Sequence, residues 1–217
     1  MTIISHAYNF IFIKTTKTAG TSIEVDLAAV LEPDAIVTPI IPTIEHHRPR
    51  NWQTASGDAA FYNHMTATEI RSELGAERFN RMHKFCVERE PVSKCISHFH
   101  MMRNSSLHNP EGEYKSSWDE YCSAGRFPID LRKYTEPSEN VYLTLLADTI
   151  LEYETLQYSL PKLLINLGVK DFKLTSRMKS EYSRNRIVHP EEVTTDQRKR
   201  IYSAFSKTLE TTGLYAS

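Results

Sequence analysis

The sequence predicts an α/β fold, a mostly parallel central sheet flanked by helices, formed by one domain over residues 1–217. Short β-branched and aromatic runs alternate along the chain with longer segments of helical apolar spacing, an order typical of a parallel sheet covered on both faces. The 217 residues, 40% apolar and 24% charged, suffice for one substantial core and are too few for two. Neither an internal repeat nor a linker-like composition divides the chain.

Composition excludes several classes of protein. Lys plus Arg number 26 and Asp plus Glu 27, a net charge of −1, so no overall basic field indicates a nucleic acid or a membrane surface as partner. The first residues lack a basic n-region and a cleavage site, and the longest apolar run near them, residues 10–13, is far below the roughly 20 residues of a membrane span. Three cysteines without a CxxC pair suit reduced thiols. We expect a cytoplasmic protein without a membrane span.

The first third of the chain predicts a strand, a tight loop and a helix. Residues 8–14 (YNFIFIK) have the composition of a buried strand, and residues 15–22, apart from Lys17, are small or carry hydroxyls. An apolar-periodic helix follows and ends at Pro33. Residues 33–63 contain four of the ten prolines and little periodicity, so we expect irregular surface that covers a site.

The remaining elements follow from caps and apolar spacing. Thr66 or Thr68 starts a short helix that ends at Gly75, and residues 83–88 (HKFCVE) predict a second strand. Pro91 suits the first turn of the next helix because its φ is already helical. The other predicted elements are the helices 92–103, 118–123, 155–167 and 194–209, a strand at 148–153, and a basic polar loop over 175–190.

A loop rich in glycine and hydroxyl residues follows the first strand. In open α/β sheets, ligands bind beyond the carboxyl ends of the strands, where helices begin. Gly20 would let a ligand approach the backbone, amides and hydroxyls at the helix start would bind an anion, and Lys17 adds a movable positive charge. The loop is not the GxxxxGK[ST] triphosphate loop, since the lysine precedes the single glycine. The alternative is a capped helix start with a surface lysine.

A second polar segment follows the second strand. Ser97 lies eight residues after Arg89, a little over two helical turns, so both side chains could reach one phosphate. The alternative for Arg89 is an ordinary surface ion pair.

Together the two segments resemble the sulfotransferases that use 3′-phosphoadenosine 5′-phosphosulfate (PAPS). The first is similar to their PKTAGTS phosphosulfate loop, with Thr16 in place of proline. The second is similar to their 3′-phosphate motif, R-[ND]-P and a serine eight residues after the arginine, with Glu90 in place of Asn or Asp. Their order and their spacing of about 70 residues match the carbohydrate branch. The segment Tyr62-Asn-His64 resembles one in the uronyl 2-O-sulfotransferases.

This resemblance implies a P-loop-like sulfotransferase fold and transfer of a sulfuryl group from PAPS to a hydroxyl, with a saccharide as the favoured acceptor. A lipid, a small metabolite or a peptide tyrosine remains open as the acceptor. It places Lys17 at the bridging oxygen of the leaving group and Lys14 near the sulfuryl group. Arg89 and Ser97 would bind the 3′-phosphate. The resemblance also implies that five further residues of the loop bind the 5′-phosphosulfate: Thr18, Ala19, Gly20, Thr21 and Ser22.

The resemblance also suggests a base and a closing loop. His64 would accept the proton of the acceptor hydroxyl, since neutral histidine does so near pH 7; the alternative is that it caps the helix near Thr66. The family often closes a basic loop over the adenosine, for which the candidates are Arg177, Lys179 and Arg184. A solvated loop is the alternative there.

Other polar residues offer weaker sites. His46 and His47, beside Arg48 and Arg50, would bind an acidic sugar. The alternative is that this segment is solvated. As a metal site, the histidine pair lacks a third ligand. We therefore expect no metal. The three cysteines Cys86, Cys95 and Cys122 are expected in no catalytic role, and Trp118, Tyr121 and Phe127 are expected in the core rather than in an acceptor cleft.

Two other functions remain open from the sequence. A P-loop-type nucleotide kinase shares the strand–loop–helix plan, but it requires a lysine after the final glycine. A non-catalytic nucleotide-binding relative would keep the site and lose the base, and the presence of Lys17 disfavours it.

Overall fold

A computed structural model describes residues 2–45, 47–107, 109, 114–137, 143–170, 172–178 and 186–215. The chain forms two compact units, and each of them draws on several segments. The first unit comprises Met1–Thr15, Ala19–Glu88 and Asp130–Met178. The second comprises Thr16–Thr18, Arg89–Ile129 and Lys179–Ser217.

The first unit contains the sheets. Its strands are β1 (Thr2–Ser5), β2 (Phe10–Ile13), β3 (Ile36–Val37), β4 (His83–Glu88), β5 (Thr135–Pro137), β6 (Leu143–Leu145) and β7 (Thr149–Glu152). Five of them form the main sheet in the order β3-β1-β2-β4-β7, while β5 and β6 pair separately. The predicted strands at 8–14, 83–88 and 148–153 correspond to β2, β4 and β7.

The main sheet is mixed, so the prediction of a mostly parallel sheet is wrong in this respect. β2–β4 and β4–β7 are parallel, but β1 is antiparallel to both β2 and β3. The reason is the chain length: only residues 6–9 join β1 to β2, whereas a parallel connection needs a crossover of about a dozen residues. The broader prediction of an α/β fold with a central sheet flanked by helices is confirmed.

Alternating side chains place apolar residues on both faces of this sheet. The helices are α1 (Gly20–Val30), α2 (Ala67–Leu74), α3 (Ala76–Arg81), α4 (Pro91–Asn104), α5 (Trp118–Ala124), α6 (Leu156–Asn166) and α7 (Thr195–Thr212). Phe10 and Phe12 pack in one core with Leu27 of α1 and Leu160 of α6. Ile11 and Ile13 pack in a second core with residues of α2 and α3, among them Ile70 and Phe79.

The second unit has a helical core of its own. Cys95 and Phe99 of α4 pack with Tyr121 of α5 and with Ile201 and Phe205 of α7. Trp118 and Phe127 pack against this cluster, which confirms their expected place in a core.

Among the described helices, none combines the length and the apolar composition of a membrane span.

Candidate functional site

The loop between β2 and α1 has an unusual backbone. Lys17 and Ala19 both adopt the left-handed region, with φ of 62° and 59°. Each such residue other than glycine costs about 1–2 kcal/mol, and conformations of this kind cluster at functional sites. The observed strain therefore makes this loop a candidate ligand site.

The start of α1 lacks the caps that other helices of the chain have. Its N-cap residue, Ala19, makes no side-chain cap, and its first turn contains no acidic residue. In contrast, α2, α5 and α7 each begin with a complete capping box. The first amides of a helix need an acceptor and carry partial positive charge, which favours an anion at this end.

The side chain of Lys14 is buried against the first turns of α1. Its Nζ donates to Glu24 Oε2 at 2.9 Å and to Thr21 Oγ1 at 3.3 Å. The side chains of Lys14 and Glu24 are only 9% and 0% exposed. At the position predicted near a sulfuryl group, Lys14 thus forms a buried ion pair within the first unit.

Gly20 gives room to Lys14. A Cβ atom at this position would lie 2.8 Å from both Cγ and Cε of the lysine side chain. The close approach that we expected for a ligand at this glycine is therefore made by the stem of Lys14.

We expect Gly20→Ala to destabilise the protein by about 2 kcal/mol, because overpacking of this kind costs roughly 1–3 kcal/mol. The lysine stem cannot yield without breaking its buried bond to Glu24, and breaking buried pairs is costly. Urea unfolding would measure the free energy of unfolding of this variant. The comparison is Ala29→Gly, which makes the reverse exchange later in α1. An unfolding free energy for Gly20→Ala equal to that of the wild type would contradict this packing.

Ser22 and Asp26 of α1 bind the first residues of the predicted basic loop. Ser22 Oγ accepts a hydrogen bond from the Met178 amide at 3.0 Å. The Asp26 carboxylate accepts from the amides of Thr175 and Ser176 at 2.7 and 2.9 Å. Arg177 is exposed, whereas Lys179 and Arg184 lie outside the described residues.

The second motif contacts the first within the second unit. Arg89 Nη1 donates to the Lys17 carbonyl at 3.3 Å, across 72 residues of sequence. Its Nε donates to Ser93 Oγ at 2.9 Å. The guanidinium is thereby oriented by one bond to each segment.

A small polar pocket lies beside this arginine. Its polar lining consists of two guanidinium groups, two hydroxyls and an imidazole, from Arg89, Arg186, Ser93, Ser97 and His100. Ser93, Ser97 and His100 share one face of α4 because they are spaced by four and three residues. Two arginines with hydroxyl donors suit a dianion such as phosphate.

His100 is neutral in this pocket. Its Nδ1 lies 2.8 Å from the Ile96 carbonyl, and its Nε2 accepts from the Ile187 amide at 3.0 Å. One nitrogen donates and the other accepts, as in neutral imidazole. Burial also lowers the pKa of His100, as do the charges of Arg186 and Arg103.

Glu90 caps α4. Its carboxylate accepts from the amides of Val92 and Ser93 at 3.0 and 2.7 Å. Tyr202 donates to the same carboxylate at 2.8 Å, and burial together with this bond raises the tyrosine pKa to about 12. Glu90 therefore fills the role that Asp or Asn plays at an N-cap.

His64 lies in the first unit beside a lysine. Its backbone is left-handed, with φ of 65°, and its Nδ1 lies 3.1 Å from Lys133 Nζ. Burial first, and then the charge of Lys133, lower the pKa of His64 to about 3. The cap of α2 is Thr66, with Glu69 completing the capping box, so the capping alternative for His64 is wrong.

Two residues of the irregular segment have structural contacts. His47 is 4% exposed, and its Nε2 lies 3.0 Å from the Thr38 carbonyl. Arg50 donates to the carbonyls of Ala28, Leu31 and Glu32, each at 3.2 Å, at the end of α1. These contacts favour a structural role over the binding of an acidic sugar. His46 lies outside the described residues.

All three cysteines are buried and reduced. Burial raises the pKa of the Cys122 thiol to about 11 and that of Cys95 further still. Such thiols stay protonated at neutral pH and are poor nucleophiles. In the described ranges, histidine, cysteine and acidic side chains form no group of three or more that could hold a metal ion.

Comparison of the chain with models of known protein families, with curated proteins and with solved structures finds no match. A functional assignment therefore depends on the two motifs and on the geometry described above.

Proposed function

We propose that the protein is a PAPS-dependent sulfotransferase that transfers a sulfuryl group to an acceptor hydroxyl on a saccharide. One observation carries this proposal: Arg89 of the second motif donates to the carbonyl of Lys17 in the first. Two segments that resemble the two halves of a PAPS site are thus in contact, although 72 residues separate them.

In the proposed complex, the 5′-phosphosulfate binds at the uncapped start of α1, where Thr18, Ala19, Gly20, Thr21 and Ser22 supply amides and hydroxyls. The 3′-phosphate binds to Arg89 and Ser97, and the pocket adds Ser93 and Arg186 as further donors. Lys14 leaves its pair with Glu24 or acts on the sulfuryl group through Thr21. Arg184 belongs to the loop that the resemblance places over the adenosine.

The reaction requires little covalent chemistry from the protein. The acceptor oxygen attacks sulfur in line, a new O–S bond forms, and the S–O bond to the phosphate breaks with its electron pair left on 3′,5′-ADP. By analogy with phosphoryl transfer, positioning and electrostatic stabilisation supply most of the rate enhancement. The Lys17 ammonium stabilises the charge that develops on the leaving phosphate.

The pocket beside Arg89 favours this proposal over a nucleotide kinase. A second cluster of phosphate donors suits a nucleotide with a 3′-phosphate, for which a kinase of the P-loop type has no use. The lysine that such a kinase needs after the final glycine is also absent, since Thr21 follows Gly20.

Transfer of radioactive sulfur from labelled PAPS tests the proposal directly. We expect labelled product with at least one member of a panel of saccharides that includes uronic-acid polymers, and equimolar release of 3′,5′-ADP. Phosphorylation of a nucleotide by ATP, with no sulfuryl transfer to any acceptor hydroxyl, would support a kinase instead.

We expect His64→Ala to reduce turnover by about 100- to 10,000-fold, the usual contribution of a general base, and to leave the affinity for 3′,5′-ADP unchanged. Steady-state kinetics and calorimetric titration measure the two effects, with His6→Ala as the matched control. Turnover retained in His64→Ala would remove this histidine from the mechanism.

A further inference from the structure

The polar cluster around His64 defines where its proton lies. A lysine ammonium has three donors and no acceptor. Because Lys133 Nζ lies 3.1 Å from His64 Nδ1, Nδ1 must accept, and the single proton of the neutral ring is on Nε2. The ammonium also forms an ion pair with Asp130 Oδ1 at 2.7 Å, and Asp130 is only 3% exposed.

We propose that Lys133 is a positioning residue that blocks Nδ1 of His64 in the free protein and exposes it as the base when the lysine turns away. This inference rests on the proposed function, because it assigns a control step to the same proton transfer. Lys133 makes no contact with the reacting atoms in this scheme and acts only through the imidazole.

The surroundings of His64 oppose protonation while Lys133 is in place. Lys133 and Lys14 both contribute positive charge there, and Asp130 alone among the charged residues of this cluster favours the imidazolium. A base whose conjugate acid is this unstable accepts a proton poorly near neutral pH. When the lysine turns away from Nδ1 and keeps only its bond to Asp130, the largest of the opposing charges acts less strongly on the imidazole.

The proton then has a defined path. The acceptor hydroxyl gives its proton to Nδ1 as its oxygen bonds to sulfur, and His64 becomes an imidazolium with protons on both nitrogens. The S–O bond to the phosphate breaks, and 3′,5′-ADP keeps the electron pair. The imidazolium returns its proton to water after the products leave, and Lys133 donates to Nδ1 again.

Nitrogen-15 spectra of the imidazole groups test the resting arrangement without cofactor or acceptor. His64→Gln assigns the signals of this residue among the nine histidines. We expect the Nε2-protonated tautomer in the wild-type protein and no protonation of His64 down to about pH 4, since its pKa is about 3. A wild-type spectrum with the proton on Nδ1 would overturn the proposal, whether or not the protein transfers sulfate.

Lys133→Met removes the ammonium and keeps a stem of similar length. We expect the pKa of His64 to rise but to stay below 6.5, because burial, the larger cause of its low value, is kept. The acid limb of the rate profile then moves to higher pH. The matched control is Arg132→Met, which removes an exposed charge from the neighbouring residue. It should leave the His64 pKa and the acid limb of the rate profile unchanged. An unchanged His64 pKa in Lys133→Met, or an equal rise in Arg132→Met, would contradict the proposal.

Discussion

Lys17→Met should lower the rate of sulfuryl transfer by roughly 100- to 1,000-fold, the loss typical when one preorganised group that stabilises transition-state charge is removed. The methionine keeps most of the side-chain length and lacks the charge. Because the proposed mechanism places Lys17 at the bridging oxygen of the leaving group, we expect its contribution to be largest in the transition state. We therefore expect a reduced kcat and, at most, about a tenfold loss of affinity for 3′,5′-ADP.

Single-turnover kinetics with saturating PAPS would separate this effect from binding. Lys162→Met is a suitable control, because it removes an exposed lysine of α6 that has no place in the proposed site. Equal kcat values in Lys17→Met and the wild type would show that the leaving group is stabilised by another residue.

Arg89→Ala should weaken the binding of 3′,5′-ADP by about 100-fold. Charge-assisted hydrogen bonds are the stronger ones in proteins, and a loss of about 2.7 kcal/mol corresponds to this factor. The variant also removes the bonds that Arg89 makes to Ser93 and to the Lys17 carbonyl. We expect binding of 5′-AMP to change far less, since it lacks the phosphate that Arg89 would hold.

Calorimetric titration of both nucleotides measures this selective loss. Arg103→Ala provides the control, because it removes an exposed arginine from the last turn of the same helix, α4. An equal loss of affinity for both nucleotides in Arg89→Ala would indicate that the arginine supports the Lys17 loop rather than a 3′-phosphate.

Local signals in the sequence predict the helices well. The caps Thr66 and Thr194 and the terminal glycine Gly75 lie at observed helix ends, whereas α7 runs to Thr212, three residues beyond its predicted end. These residues act through hydrogen bonds or backbone conformation within one turn, so their effect does not depend on distant parts of the chain.

Pairing of the strands depends on longer-range contacts and was predicted less well. The run Thr2–Ser5 is only four residues long, and Ile36–Val37 is two. Such short segments carry little periodicity. They become strands because β1 pairs with β2 on one side and with β3 on the other. The antiparallel half of the main sheet therefore had no strong local signal.

For the candidate site, the sequence indicates two motifs but not the residues that contact them. The sequence placed Lys17 and Arg89 after two strands, and those strands are parallel neighbours, β2 and β4. The spacing of Ser93 midway between Arg89 and Ser97 would have identified it as a third residue on this face. The contact of Lys133 with His64 spans 69 residues, and no local pattern indicates it.

Glu90 departs from the motif that the second segment resembles, and its carboxylate caps α4. A carboxylate next to a phosphate site disfavours anion binding if it faces the anion. Here it accepts from two amides of α4 and from Tyr202. The longer side chain of Glu still reaches the amides at the start of the helix, so this substitution preserves the cap.

Titration of the wild-type protein with 3′,5′-ADP and, separately, with 5′-AMP tests the central claim most directly. A cofactor site for PAPS predicts that 3′,5′-ADP binds at least 100-fold more tightly, because only this nucleotide engages both the Lys17 loop and the pocket beside Arg89. Equal affinities for the two nucleotides, or no binding of 3′,5′-ADP, would contradict the assignment of a PAPS site.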